Sequence, residues 1–105
     1  MDIGGDVVKH NETYLLKDNN ALDNLTVSST KLYPDRETRG HKHDGVDEVY
    51  IFTSGSGKIQ LDDIAIPVKE GSVILIEGGV FHKVYNTSSL SNLDFICVLQ
   101  GQRCH

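Results

Sequence analysis

Two histidines separated by one residue, His41 and His43, stand shortly before a glutamate in the run Gly40-His41-Lys42-His43-Asp44-Gly45-Val46-Asp47-Glu48. Side chains alternate along an extended backbone, so an extended His41-Lys42-His43 directs both imidazoles to one side. Glu48 follows a turn at Asp44 to Asp47 and can bring a carboxylate oxygen to the same place. A further imidazole, His82, begins a later strand pattern after Gly78-Gly79-Val80-Phe81. Three imidazoles and one carboxylate suit Mn, Fe, Zn, Ni, Co or Cu, and on a five- or six-coordinate ion they leave positions open to a reactant. With neutral imidazoles, a divalent ion keeps a formal charge of about +1, which attracts an anionic or chelating oxygen ligand. Such an ion polarises a carbonyl, holds an enediolate, or lowers the pKa of a bound water.

The spacing alone leaves a second reading open. His-x-His arises by chance, and Asp44, Asp47 and Glu48 also fit an ordinary charged loop. His10 and His105 lie outside the pattern and near the ends of the chain, and are expected to be bystanders. Cys97 lies in the apolar run Phe95-Ile96-Cys97-Val98-Leu99 and reads as a buried thiol, while Cys104-His105 could capture a stray metal. The triplets beginning at Asn11, Asn24 and Asn86 match the glycosylation pattern, but no signal peptide accompanies them.

The elements that must position these groups read as strands. No window has a helical period, whereas short β-branched or aromatic runs recur between Gly, Asn and Asp. Strands are expected at Leu25 to Tyr33, Glu48 to Thr53, Lys58 to Leu61, Ile64 to Val68, Ser72 to Ile76, His82 to Tyr85 and Leu93 to Leu99, with another around Thr13 to Leu16. Ser54 to Gly57, Asp62-Asp63 and Lys69-Glu70-Gly71 are turn signals, and Pro67 calls for an edge or irregular position because it has no N–H to give to a ladder. The Gly-x-Gly of Gly55 to Gly57 is no phosphate cradle, since no helix pattern follows it.

At 105 residues the chain fits one domain, 1–105, and it excludes a two-lobed enzyme or a large barrel. Ten Lys and Arg are scattered among fifteen Asp and Glu, for a net charge of −5, which argues against nucleic acid as a partner. No apolar run is long enough to span a membrane and no basic, apolar leader opens the chain, so a cytoplasmic protein is expected.

Taken jointly, two stretches resemble the motifs of the cupin superfamily, here a small single-domain metal-binding member. Gly40, His41, His43, Glu48 and Gly55 are similar to the first, Gly-His-x-His-x4-Glu-x6-Gly, with a shorter gap after the first glycine. Gly71, Gly79, His82 and Asn86 are similar to the second, with Glu77 where proline is common. The resemblance runs from about Gly40 to Asn86 and implies an all-β double-stranded β-helix, the cupin jelly-roll barrel, with its core at about 24–100. It also implies one divalent transition metal per chain, held by His41, His43, Glu48 and His82.

If Glu48 faces inward, Tyr50 and Phe52 do as well, and His82, Val84 and Asn86 share a face. Tyr50 is then a candidate acid, base or hydrogen-bond donor, against an equal case for packing, and Phe52 packs. Arg36, Arg39, Lys58, Gln60 and Lys83 could reach a substrate anion from the mouth, and none is assigned a catalytic role. The leading expectation is an enzyme for metal-assisted isomerisation or related chemistry on a small oxygen-rich or anionic substrate. The alternatives are an iron-dependent dioxygenase and a non-catalytic ligand-binding or sensor domain. A homodimer is the expected assembly, since extra packing helps so small a domain.

Overall fold

The computed structural model describes residues 1–101; Cys104 and His105 lie outside the described residues. The strands are β1 (Asp6–His10), β2 (Tyr14–Asn19), β3 (Leu25–Leu32), β4 (Glu48–Ser54), β5 (Ser56–Leu61), β6 (Ile64–Lys69), β7 (Val73–Ile76), β8 (His82–Asn86) and β9 (Leu93–Gln100). They form two antiparallel sheets, one ordered β1-β2-β3-β9-β4-β7 and the other β6-β5-β8. No helix among the described residues is long and apolar enough to cross a membrane.

Every expected strand is present, with ends shifted by up to a few residues, and β1 is additional. All five β1 residues are exposed, so no alternation between buried and exposed positions marks it in the sequence. Alternation does govern β4, where Glu48, Tyr50 and Phe52 are buried while Ile51 faces out. Pro67 lies on β6, an edge strand as expected.

The two sheets share one core. Leu32, Phe52, Leu93, Phe95 and Leu99 of the larger sheet pack in one cluster with Ile59, Val68 and Val84 of the smaller. The closed jelly-roll barrel expected from the resemblance is nevertheless not formed. No continuous ladder joins the sheets, and their edges at β1, β7, β6 and β8 stay separate. Residues 36–41 approach the outer edge of β8, but their backbone pairs with it in the isolated bridges Glu37 to Tyr85 and His41 to His82 and forms no ladder. Asp35 at φ 61° and Gly40 at φ 87° bend the chain out of extended conformation on either side, so a strand cannot propagate there.

Asn86 ties the ends of three segments together. Its buried Nδ2 donates to the carbonyls of Leu32, Tyr33 and Ser91 at 3.0, 3.1 and 2.8 Å, and its Oδ1 accepts from the Ser88 N–H at 3.0 Å. The side chain is thus fully engaged, which closes it to glycosylation in the folded chain. Replacing Asn86 by Ala leaves buried carbonyls without donors and is expected to cost about 2–4 kcal/mol. Urea unfolding measures this; a loss within about 0.5 kcal/mol of zero would contradict the anchoring role.

Candidate metal centre

The site forms where the two sheets meet. Glu48 opens β4 between β9 and β7, paired with Leu99 and Ile76, and its carboxylate is turned inward with the residue 3% exposed. His82 opens β8 in the other sheet and is 2% exposed. His43 arrives from the preceding loop, which backbone pairing holds in place. The His41 N–H donates to the His82 carbonyl at 2.9 Å and the His82 N–H to the His41 carbonyl at 2.8 Å. The Gly79 N–H donates to the His43 carbonyl, and the Gly78 N–H to Asp47 Oδ1.

Two glycines permit this closeness. A Cβ on Gly40 would lie 2.4 Å from the Phe81 ring, and one on Gly78 would lie 2.8 Å from the Val46 nitrogen. Gly40 therefore lets the loop pass close against the Phe81 ring. Asp47 was legible in the sequence only as loop charge, yet it links the two ligand-bearing loops.

His82 Nε2 lies 2.9 Å from Glu48 Oε2, and His43 Nε2 lies 3.9 Å from Glu48 Oε1. His82 Nδ1 faces the Val80 carbonyl at 3.2 Å. A ring nitrogen against a carbonyl oxygen carries the proton, so a neutral His82 turns the lone pair of Nε2 toward the carboxylate. The Cys97 thiol donates to Glu48 Oε1 at 3.7 Å. Burial, the strongest single influence, pushes the Glu48 carboxyl up, but in the absence of a metal a protonated His82, by hydrogen bond and by charge, the charge on His43 and the Cys97 thiol together outweigh it and hold its pKa below the ordinary value. Glu48 is therefore anionic at neutral pH.

Neither Glu48 Oε2 nor His82 Nε2 has a hydrogen-bond partner, although both are buried. Two lone-pair atoms this close repel unless a proton or a metal cation lies between them. Ligand atoms bonded to one ion at about 2.1 Å and at right angles lie roughly 3 Å apart, so the residues fit a metal. The donor atoms of His43, Glu48 and His82 all lie within 4.8 Å of one another. His41 is not part of that group; it is exposed, with its ring 5.6 Å from that of His43 and 6.0 Å from that of His82.

The cluster borders a cavity of about 350 Å³ whose wall includes Lys9, Ser28, Thr30, Tyr50 and Cys97. A family model for the cupin domain matches residues 29–99. The chain is a cupin. The domain also resembles the oxalate-binding protein of Thermotoga maritima, with 32% identity over 69 residues, 66% of this chain and 56% of that protein. The match thus spans just over half of the relative's length. Similar solved structures include a Thermus thermophilus protein (TM-score 0.81, 19% identity, 92% of each chain). KdgF from a Halomonas species has a TM-score of 0.82 at 13% identity, covering 93% of this chain and 87% of its own. A predicted oxalate decarboxylase from Thermotoga maritima has a TM-score of 0.76 at 23% identity, covering 85% and 81%. These structural likenesses concern the fold.

Tyr50 and Phe52 of the cupin face inward as expected, the Tyr50 ring standing edge-on to His82 at 5.5 Å and stacked on Phe95 at 5.4 Å. The cations named from the sequence are not on the cavity wall. Lys58 lies over Tyr85, Lys83 pairs with Glu37 at 3.1 Å, and Gln60 accepts from the Tyr85 hydroxyl. Lys9 of the unanticipated β1 occupies the position instead. His10 lies by Tyr33, apart from the cluster.

His82→Ala removes the buried nitrogen opposite Glu48 and is expected to reduce metal affinity at least about 100-fold. Metal per chain after dialysis, read by elemental mass spectrometry, checks this; unchanged stoichiometry would contradict the site.

Proposed function

We propose that this cupin domain holds one divalent transition metal on His41, His43, Glu48 and His82 and carries out isomerisation or related chemistry on a small oxygen-rich or anionic molecule. The observation that carries the reading is the buried Glu48 Oε2 and His82 Nε2 pair, without hydrogen-bond partners, beside the cavity. When bound, the ion supplies a Lewis acid with positions open to oxygen ligands. Glu48 and the three histidines bind it, His41 joining from the rim beside His43. The Val80 carbonyl holds the His82 tautomer, and Phe52 and Phe95 exclude water from the inner wall.

Tyr50 on that wall is suited to holding a proton near the bound molecule, and Lys9, also on the wall, attracts anions to a protein whose net charge is −5. The name of the oxalate-binding relative favours a small oxygen chelate as the ligand, and it also favours a second reading, binding without turnover. Multiple turnovers by the metal-loaded protein separate the two.

Activity over a panel of hydroxy acids, keto acids and sugar acids is expected to vanish on chelation and return with metal. Tyr50→Phe is expected to keep the metal and lower kcat about 100-fold or more. Turnover that survives metal removal would overturn the metal-dependent reading, and full activity in Tyr50→Phe would leave that ring a packing role.

A homodimer through the outer face of the larger sheet belongs to the same proposal. Val98, Val49 and Leu75 align across β9, β4 and β7, as do Ile96, Ile51 and Val73, and Val73 and Leu75 are 57% and 73% exposed. Leu75→Lys is expected to shift a sedimenting dimer to monomer; a monomeric parent protein would contradict the assembly.

A further inference from the structure

The two oxygens of the Glu48 carboxylate have different surroundings. Oε2 lies 2.9 Å from His82 Nε2 with no other partner, which leaves it to a proton or a metal. Oε1 lies 3.7 Å from the Cys97 sulfur, whose thiol donates to it, and 3.9 Å from His43 Nε2. Cys97 is 4% exposed and belongs to the same buried cluster as Phe95 and Leu99, its neighbours on the inward face of β9. Packing alone would be served there by a small apolar side chain. What a thiol adds is a weak S–H donor.

Register explains how the thiol meets one oxygen. Glu48 is paired with Leu99 and Tyr50 with Cys97, so Cys97 is the diagonal neighbour of Glu48 across β4 and β9. Diagonal neighbours have Cβ atoms roughly 7 Å apart, a distance that the long glutamate side chain closes. β9 lies between β3 and β4, and Cys97 is paired on its other side with Ser28, so ladders on both sides fix the sulfur. His43, the other group beside Oε1, comes from the loop before β4. A carboxylate can grip an ion with one oxygen or with both, and the second mode takes up a further coordination position. An Oε1 deprived of the thiol would be a buried acceptor in need of a partner, and the ion beside Oε2 would supply one.

We infer that Cys97 is a positioning residue whose thiol holds Glu48 Oε1, so that Glu48 binds the metal through Oε2 alone and a coordination position stays open to an oxygen ligand. This rests on the proposed metal centre.

The test is infrared spectroscopy of the full chain carrying Cys104→Ser, with and without Zn(II), the Glu48 bands being assigned by their loss in Glu48→Gln. The interval between the two carboxylate stretches is wide when one oxygen is bound and narrow when both are. The zinc-loaded parent is expected to show the wide interval and a Cys97 S–H stretch lowered by its hydrogen bond. Cys97→Ala is expected to narrow the interval and weaken zinc affinity about tenfold, measured by competition with a chelator. Cys97→Ser keeps a donor at the same place and is expected to retain the wide interval and an affinity within about threefold of the parent. A narrow interval or an unlowered S–H stretch in the zinc-loaded parent would overturn the proposal, whether or not either Cys97 variant folds. Equal affinity losses in both variants with the interval unchanged would overturn it too, as the mark of packing. A parent protein that takes up no zinc or other transition metal would overturn the metal centre as well, which separates the two failures.

Discussion

The structure depends on a close approach that needs a proton or a metal cation between two side chains. Glu48 Oε2 and His82 Nε2 come from different sheets, lie 2.9 Å apart and are sealed from solvent, with no hydrogen bond to either. The Val80 carbonyl faces the other nitrogen of the His82 ring, so the tautomer protonated there turns a lone pair toward the carboxylate. A cation between them turns this repulsion into two ligand bonds. Because β4 and β8 belong to separate sheets, the same ion would also clamp the sheets together. Metal binding would therefore be coupled to folding in this small domain.

That coupling matters more because the sheets are not closed into a barrel. At Asp35 and again at Gly40 the backbone leaves the extended conformation, and the segment beside β8 makes two isolated bridges in place of a ladder. One of them, His41 to His82, lies at the ligand cluster itself. Asp47 and the carbonyl of His43 then bind the Gly78-Gly79 turn, so the two ligand loops are set against each other by backbone groups. The cavity opens beside this junction, with aromatic rings on its wall.

Much of the centre was legible in the sequence because strand alternation is a strong physical constraint. Once Glu48 faces inward, Tyr50 and Phe52 must follow, and they do. His43, Glu48 and His82 converge as the motif spacing implies, while His41 stands at the rim, a difference no spacing rule distinguishes. The fully exposed β1 carries no burial signal, so Lys9 was not foreseen on the cavity wall. The barrel failed as an expectation because closure depends on two local backbone turns that residue types do not reveal.

The central claim is that a metal ion occupies the space between Glu48 and His82. Anomalous diffraction above and below the absorption edge of the metal carried by the protein tests it most directly. The account predicts one peak per chain, about 2.1 Å from both His82 Nε2 and Glu48 Oε2, with His43 bound to the same ion. Density in a metal-replete crystal showing those two atoms still in direct contact, with no anomalous peak between them, would contradict it.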